Sequence, residues 1–207
     1  MSNKKESFFW TSYSDLMTSL FFVMLVLFIL TIALMHNKHK ATAEQLKKVT
    51  ELNNSIKQID TSYFVYDSTF KRHTLKDITI EFEKQSNNIN DINRQNRLRL
   101  LEAGRAIQTF MKKAQDSIPG ADYLLIVEGQ SSKDGYVGNN VLSYERALSL
   151  VKYWKANGLS FEGLPCEIII SGSGQDSKFR EPERINGKIN TRNQRFVIHI
   201  IPKPGNF

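Results

Sequence analysis

A carboxylate and two hydroxyls stand at the opening of a long apolar run: Asp15, Thr18 and Ser19, with Ser14 beside them. On a helix, residues three and four apart share a face, so these side chains make one polar stripe. An ionised carboxylate in hydrocarbon costs several kcal/mol even on lenient insertion scales. One retained there faces protein or water and marks an ion path. Burial of a carboxyl favours its neutral form, so a proton gradient can alternate binding and release at such a group. The competing reading makes Asp15 a helix N-cap at headgroup level, with no role beyond starting the helix.

The element that must position these residues is the run itself. Leu20 to Leu34 is broken only by Thr31. With the mixed stretch from Phe8 it gives roughly 27 residues, against the ~20 a spanning helix needs. The sequence therefore predicts a tail over 1–7 and a transmembrane helix over 8–35. Its end, Thr31-Ile-Ala-Leu-Met-His36, offers no small-x-small cleavage site, so a span is expected rather than a signal peptide. Trp10 and Tyr13 read as interface aromatics that set its depth in the lipid bilayer. The rest of the chain has no second such run, which predicts a single-pass protein. Lys4 and Lys5 before the helix balance Lys38 and Lys40 after it. The short tail and the large following domain then favour a cytoplasmic N-terminus. His36 and His39 follow the membrane exit as solvated interface residues or as pH-responsive groups.

Past the helix, Val49, Leu52, Ile56, Ile59 and Tyr63 alternate three and four apart. This heptad seam suggests a stalk over 36–66 paired with a second copy; a helix laid on its own domain, or a linker, are the alternatives. The remainder, 67–207, alternates in period. A half-buried strand is expected over Thr74–Phe82, a helix from Leu98 to Met111, and a strand over Tyr123–Val127. A second helix follows over Val141–Trp154, then strands at Ile168–Ile170 and Phe196–Ile200. A long polar loop is expected over 172–192. That order predicts an α+β fold, helices on one face of a mixed sheet.

The formal net charge is +7 with a pI near 9.4. The basic residues are scattered among acidic ones in a membrane-tethered chain, which argues against direct nucleic-acid binding and for an anionic polymer outside the membrane. One cysteine, Cys166, excludes an internal disulfide and reads as a small buried residue or, less simply, a reactive thiol. No P-loop, dinucleotide fingerprint or zinc-ligand spacing is present, so no enzyme, cofactor or metal site is expected. Gly172 and Gly174 read as turn glycines.

Trp10-Thr-Ser-Tyr-Ser-Asp-Leu-Met-Thr-Ser-Leu-Phe-Phe-Val-Met24 resembles the aspartate-bearing transmembrane helix of ion-driven stator B subunits, the group that includes flagellar MotB. It is most similar to the B subunits of Zorya anti-phage defence systems (ZorB). The resemblance implies two B subunits inside a pentameric ring of an A subunit, with ion passage coupled to rotation. It assigns Asp15 as proton acceptor and Thr18 and Ser19 as its pore-side neighbours; these hydroxyls suit either protons or sodium, and a lone Asp without a carbonyl-rich ligand set favours protons.

Val127-Glu-Gly129, Asn139-Asn-Val-Leu142-Ser-Tyr-Glu-Arg146-Ala147 and Asn193-Gln-Arg195-Phe-Val-Ile-His-Ile200 are similar to the signature of OmpA-like peptidoglycan-binding domains. That resemblance implies a βαβαββ domain and a wall-binding set of Asn139, Leu142, Arg146, Ser132, Asn193 and Arg195. Arg146 would clamp a stem-peptide carboxylate in two-pronged fashion; the competing reading is a surface salt bridge with a nearby Glu. Ser132 stands where the family carries the aspartate expected to bind the diaminopimelate ammonium. Gln194 stands where it carries a further arginine. Together the resemblances imply an inner-membrane, wall-anchored, dimeric subunit of a proton-driven motor in antiviral defence, with a flagellar stator subunit or a passive envelope anchor as alternatives.

Overall fold

The computed structural model describes residues 3–57, 59–69, 72–176, 182 and 184–203. The chain divides into two compact units, Met1–Lys48 and Val49–Phe207. The first unit is helical. Helix α1, Asn3–Ile56, starts in it, and the part from Trp10 onward is long and apolar enough to cross a membrane.

The second unit holds a five-stranded mixed sheet of β1 (Phe64–Asp67), β2 (Arg72–Leu75), β3 (Tyr123–Gln130), β4 (Cys166–Gly172) and β7 (Arg195–Pro202), in the order β1-β2-β7-β3-β4. Strands β3 and β4 are parallel and the other pairs antiparallel. A parallel pair needs a crossover, and α3 (Asn139–Ala156) supplies it. Helix α2 (Arg94–Ser117) starts at an Asn93 side chain that caps Asn96 N, 2.8 Å, and stops before Ile118-Pro119-Gly120. Its buried face, Leu100, Ala103, Ile107, Met111 and Ala114, is spaced by three and four and meets the core of β3 and β7. Gly104 lets the two helices close up: a Cβ there would strike Trp154 and Leu159. The Trp154 indole donates to Leu100 O at 2.9 Å, so the largest core side chain leaves no polar atom unpaired. An α+β fold with a mixed sheet is what the chain adopts.

The heptad seam is covered by the chain itself: Leu52, Ile56 and Ile59 are buried in the core of the second unit. This burial fits the alternative of a helix laid on its own domain, and the compact unit begins at Val49. Two expectations are corrected. The expected strand over 74–82 ends at Leu75, because Asp77 takes φ 53° and breaks the ladder. Its alternation survives as burial of Ile80, with the backbone satisfied by side chains: Asn96 Nδ2 donates to Thr79 O at 2.6 Å and Phe82 N donates to Gln194 at 3.2 Å. Part of the polar loop over 172–192 is a hairpin, β5 (Arg184–Ile185) and β6 (Lys188–Ile189), turned at Asn186-Gly187 with φ 51° and 77°.

Candidate functional site

The polar stripe of the first unit lies inside a helix that begins at Asn3, so Asp15 sits about three turns in and is not an N-cap. Thr18 Oγ1 donates to Ser14 O at 2.7 Å and Ser19 Oγ donates to Leu16 O at 2.9 Å. Both hydroxyl protons are spent on the helix, which leaves their oxygens as acceptors beside the exposed Asp15 carboxylate. Thr18 and Ser19 therefore turn acceptor oxygens toward the carboxylate. That chemistry suits a proton or a small cation.

In the second unit the sequence-predicted residues gather where β3 and β4 end and α3 begins. Glycines set that closeness. A Cβ on Gly129 would overlap the Ser143 carbonyl, and one on Gly172 would meet Ser143 Oγ and Tyr144 N. Gly172 is thus a packing glycine at the end of a strand rather than a turn residue, while Gly174, at φ 57°, turns the chain and donates N–H to Ser143 Oγ at 2.9 Å.

On this floor, Asn139 is 3% exposed and donates its amide to Asp134 Oδ1 at 2.8 Å and to Gln175 Oε1 at 3.1 Å. Arg146, two turns further along the same face of α3, is also 3% exposed. Among the described residues no glutamate pairs with it; Glu145 accepts instead from Asn87, 2.9 Å. Arg146 Nε donates to Ser86 O at 2.9 Å, and its guanidinium carbon lies 4.4 Å from the centre of the Phe82 ring. Phe82 in turn meets Phe196 edge-on at 6.1 Å. Bonding through Nε and stacking through the planar face hold the fork in place, which a lysine could not reproduce. Burial lowers the Arg146 pKa to about 10, with the charges of Asp134 and Asp91 opposing, so it stays cationic at neutrality.

Asp134 is the carboxylate that the sequence reading missed. Burial disfavours its ionised form, but hydrogen bonds from Asn139 and Tyr136 N and the field of Arg146 outweigh that and hold it below the usual range. Ser132, at the place where the family resemblance expects the acid, is 3% exposed, and its hydroxyl has no hydrogen-bond partner among the described residues. The negative charge is present, two residues later in the same loop. An Asp so close to the expected position was the available signal.

The other predicted residues divide. Leu142 is buried in the first turns of α3. Asn193, 1% exposed, closes the short helical turn before β7 through its N–H to Asn190 O, 3.3 Å. Arg195 Nε donates to Gln130 Oε1 at 2.9 Å, beside the 131–132 loop. Gln194, between them, holds Phe82 and so connects this corner to Arg146. Cys166 is half-buried and its thiol is pushed up to about 11 by burial and by Asp122, which fits the structural reading of that residue.

No protein-family model matches the chain, and no curated protein sequence matches it. Solved structures do resemble it. The periplasmic domain of Helicobacter pylori MotB (residues 97–256) aligns at 17% identity over 67% of this chain and 88% of that one, with a TM-score of 0.45. The peptidoglycan-associated lipoprotein from Burkholderia pseudomallei aligns at 12% over 61% and 88%, TM-score 0.37. The OmpA-like domain of FopA1 from Francisella tularensis aligns at 17% over 67% and 79%, TM-score 0.36.

Proposed function

We propose that this chain is the wall-anchored B subunit of a proton-driven membrane motor that acts in anti-phage defence. The observation that carries the reading is Asp15: a carboxylate flanked by acceptor oxygens, three turns inside one unbroken helix whose following turns are apolar. A surrounding A subunit, as a pentameric ring, would supply the protein surface that such a carboxylate needs. Two copies of this chain sit inside the ring, with the N-terminus in the cytoplasm and the second unit in the periplasm. Proton passage at Asp15 turns the ring, and the chain performs no covalent chemistry of its own.

The second unit is the anchor. A buried cation, Arg146, beside an ionised Asp134 complements the carboxylate and ammonium of a zwitterionic stem-peptide end, and Asn139 holds the acid in place. Ser132 contributes a neutral hydroxyl at the same loop. Co-sedimentation of the detergent-solubilised full chain with purified sacculi tests the anchor. Arg146→Ala is expected to lose retention at least about tenfold, since removing one partner of a desolvated charge contact costs ~2–5 kcal/mol. Arg146→Lys recovers little of it. Undiminished retention of Arg146→Ala would place the wall contact elsewhere.

A further inference from the structure

One buried polar chain in the second unit has a role that neither the stripe nor the Arg146 pocket absorbs. Gly129 faces α3, so its neighbours Glu128 and Gln130 lie on the opposite face of the sheet, where Arg195 and His199 of β7 also point. Glu128 Oε1 accepts from Ser173 Oγ at 2.6 Å and from Gln130 Nε2 at 2.9 Å, and Glu128 Oε2 meets His199 Nε2 at 2.8 Å. Gln130, 1% exposed, then accepts from Arg195 Nε at 2.9 Å through Oε1.

The chemistry of the ends dictates the middle. An ionised carboxylate only accepts and a guanidinium only donates. An amide held between the two has one orientation that satisfies both: nitrogen toward Glu128, oxygen toward Arg195. Glu128 is ionised at any physiological pH, because the hydrogen bonds from His199, Ser173 and Gln130 outweigh its burial.

We propose that Glu128 is a positioning residue for the wall-binding end of the domain, setting the Gln130 amide and through it the Arg195 guanidinium. His199 and Ser173 lock Glu128 and complete the relay. A glutamine at 128 replaces the charge-assisted acceptor of the Gln130 amide by a neutral one, which weakens the hold on that amide and through it on the Arg195 guanidinium. The inference rests on the wall-binding reading for its functional consequence. Its geometric content stands apart from that reading.

The test is a double-mutant cycle on the solubilised full chain, using sacculus co-sedimentation and Arg195 Nε–H exchange measured by NMR. Glu128→Gln is expected to weaken retention about fivefold or more with Arg195 present and to have no further effect in Arg195→Ala. Gln130→Met, which leaves the Glu128 contacts with His199 and Ser173 intact, is expected to repeat that pattern. In both single variants the Arg195 Nε–H exchanges faster. Equal losses in the two backgrounds, or unchanged exchange in Glu128→Gln, overturn the proposal. If the wild type is not retained by sacculi, the wall reading fails, and the exchange result alone decides whether Glu128 positions Arg195.

Discussion

His73 and Glu128 sit within one domain and respond to acid in different windows. His73 is fully buried, between the rings of Phe64 and Tyr66, and burial lowers its pKa from 6.5 to about 4 against the pull of the Ile56 carbonyl. The unfolded chain takes up that proton first, so the stability His73 contributes is complete above pH 6.5 and is lost as pH falls toward 4. Glu128 is held at about 2 against 4.5 when unfolded, so its contribution disappears only between those values. Urea unfolding across pH is expected to show two descending phases, and His73→Phe to remove the upper one alone. Gly129→Ala is a steric counterpart: its Cβ meets the Ser143 carbonyl, so α3 must shift, at a cost of ~1–3 kcal/mol. A lowered melting temperature together with weaker sacculus retention checks it. At this scale the sequence showed Arg146 and Asn139 but not their partners. Phe82, Ser86 and Gln175 come from distant loops, and no local pattern links them to α3.

Elements with a strong period were legible. The α2 face at spacing three and four and the apolar cores of β3 and β7 were visible because burial imposes a period on them. The stretch over 76–82 misled for the same reason: its alternation records burial against a neighbour, whereas strand status depends on pairing, which one positive φ at Asp77 prevents. The heptad seam shows a related ambiguity. Periodicity identifies an apolar face and is silent on what covers it, and here the cover is the chain's own core. Leu52→Ala is therefore expected to cost ~2–5 kcal/mol of domain stability, the range for a buried leucine. The resulting fall in melting temperature should be the same at every protein concentration. A concentration-dependent fall would instead mark the seam as an interface between copies.

For the molecule as a whole, the sequence displayed one apolar span and one α+β domain, and the structure contains both. What it could not display is where the domain starts, since Val49–Tyr63 reads equally as stalk and as core. Function at this scale depends on Asp15 being an ion-coupling group rather than a residue that begins a helix. The most direct measurement is phage plaquing efficiency in cells carrying the intact locus, wild type against Asp15→Asn, with membrane level verified by blot. Asparagine keeps the size and polarity of the side chain but cannot take up and release a proton. Loss of protection at wild-type abundance is the predicted result; protection by Asp15→Asn equal to that of the wild type would contradict the motor account.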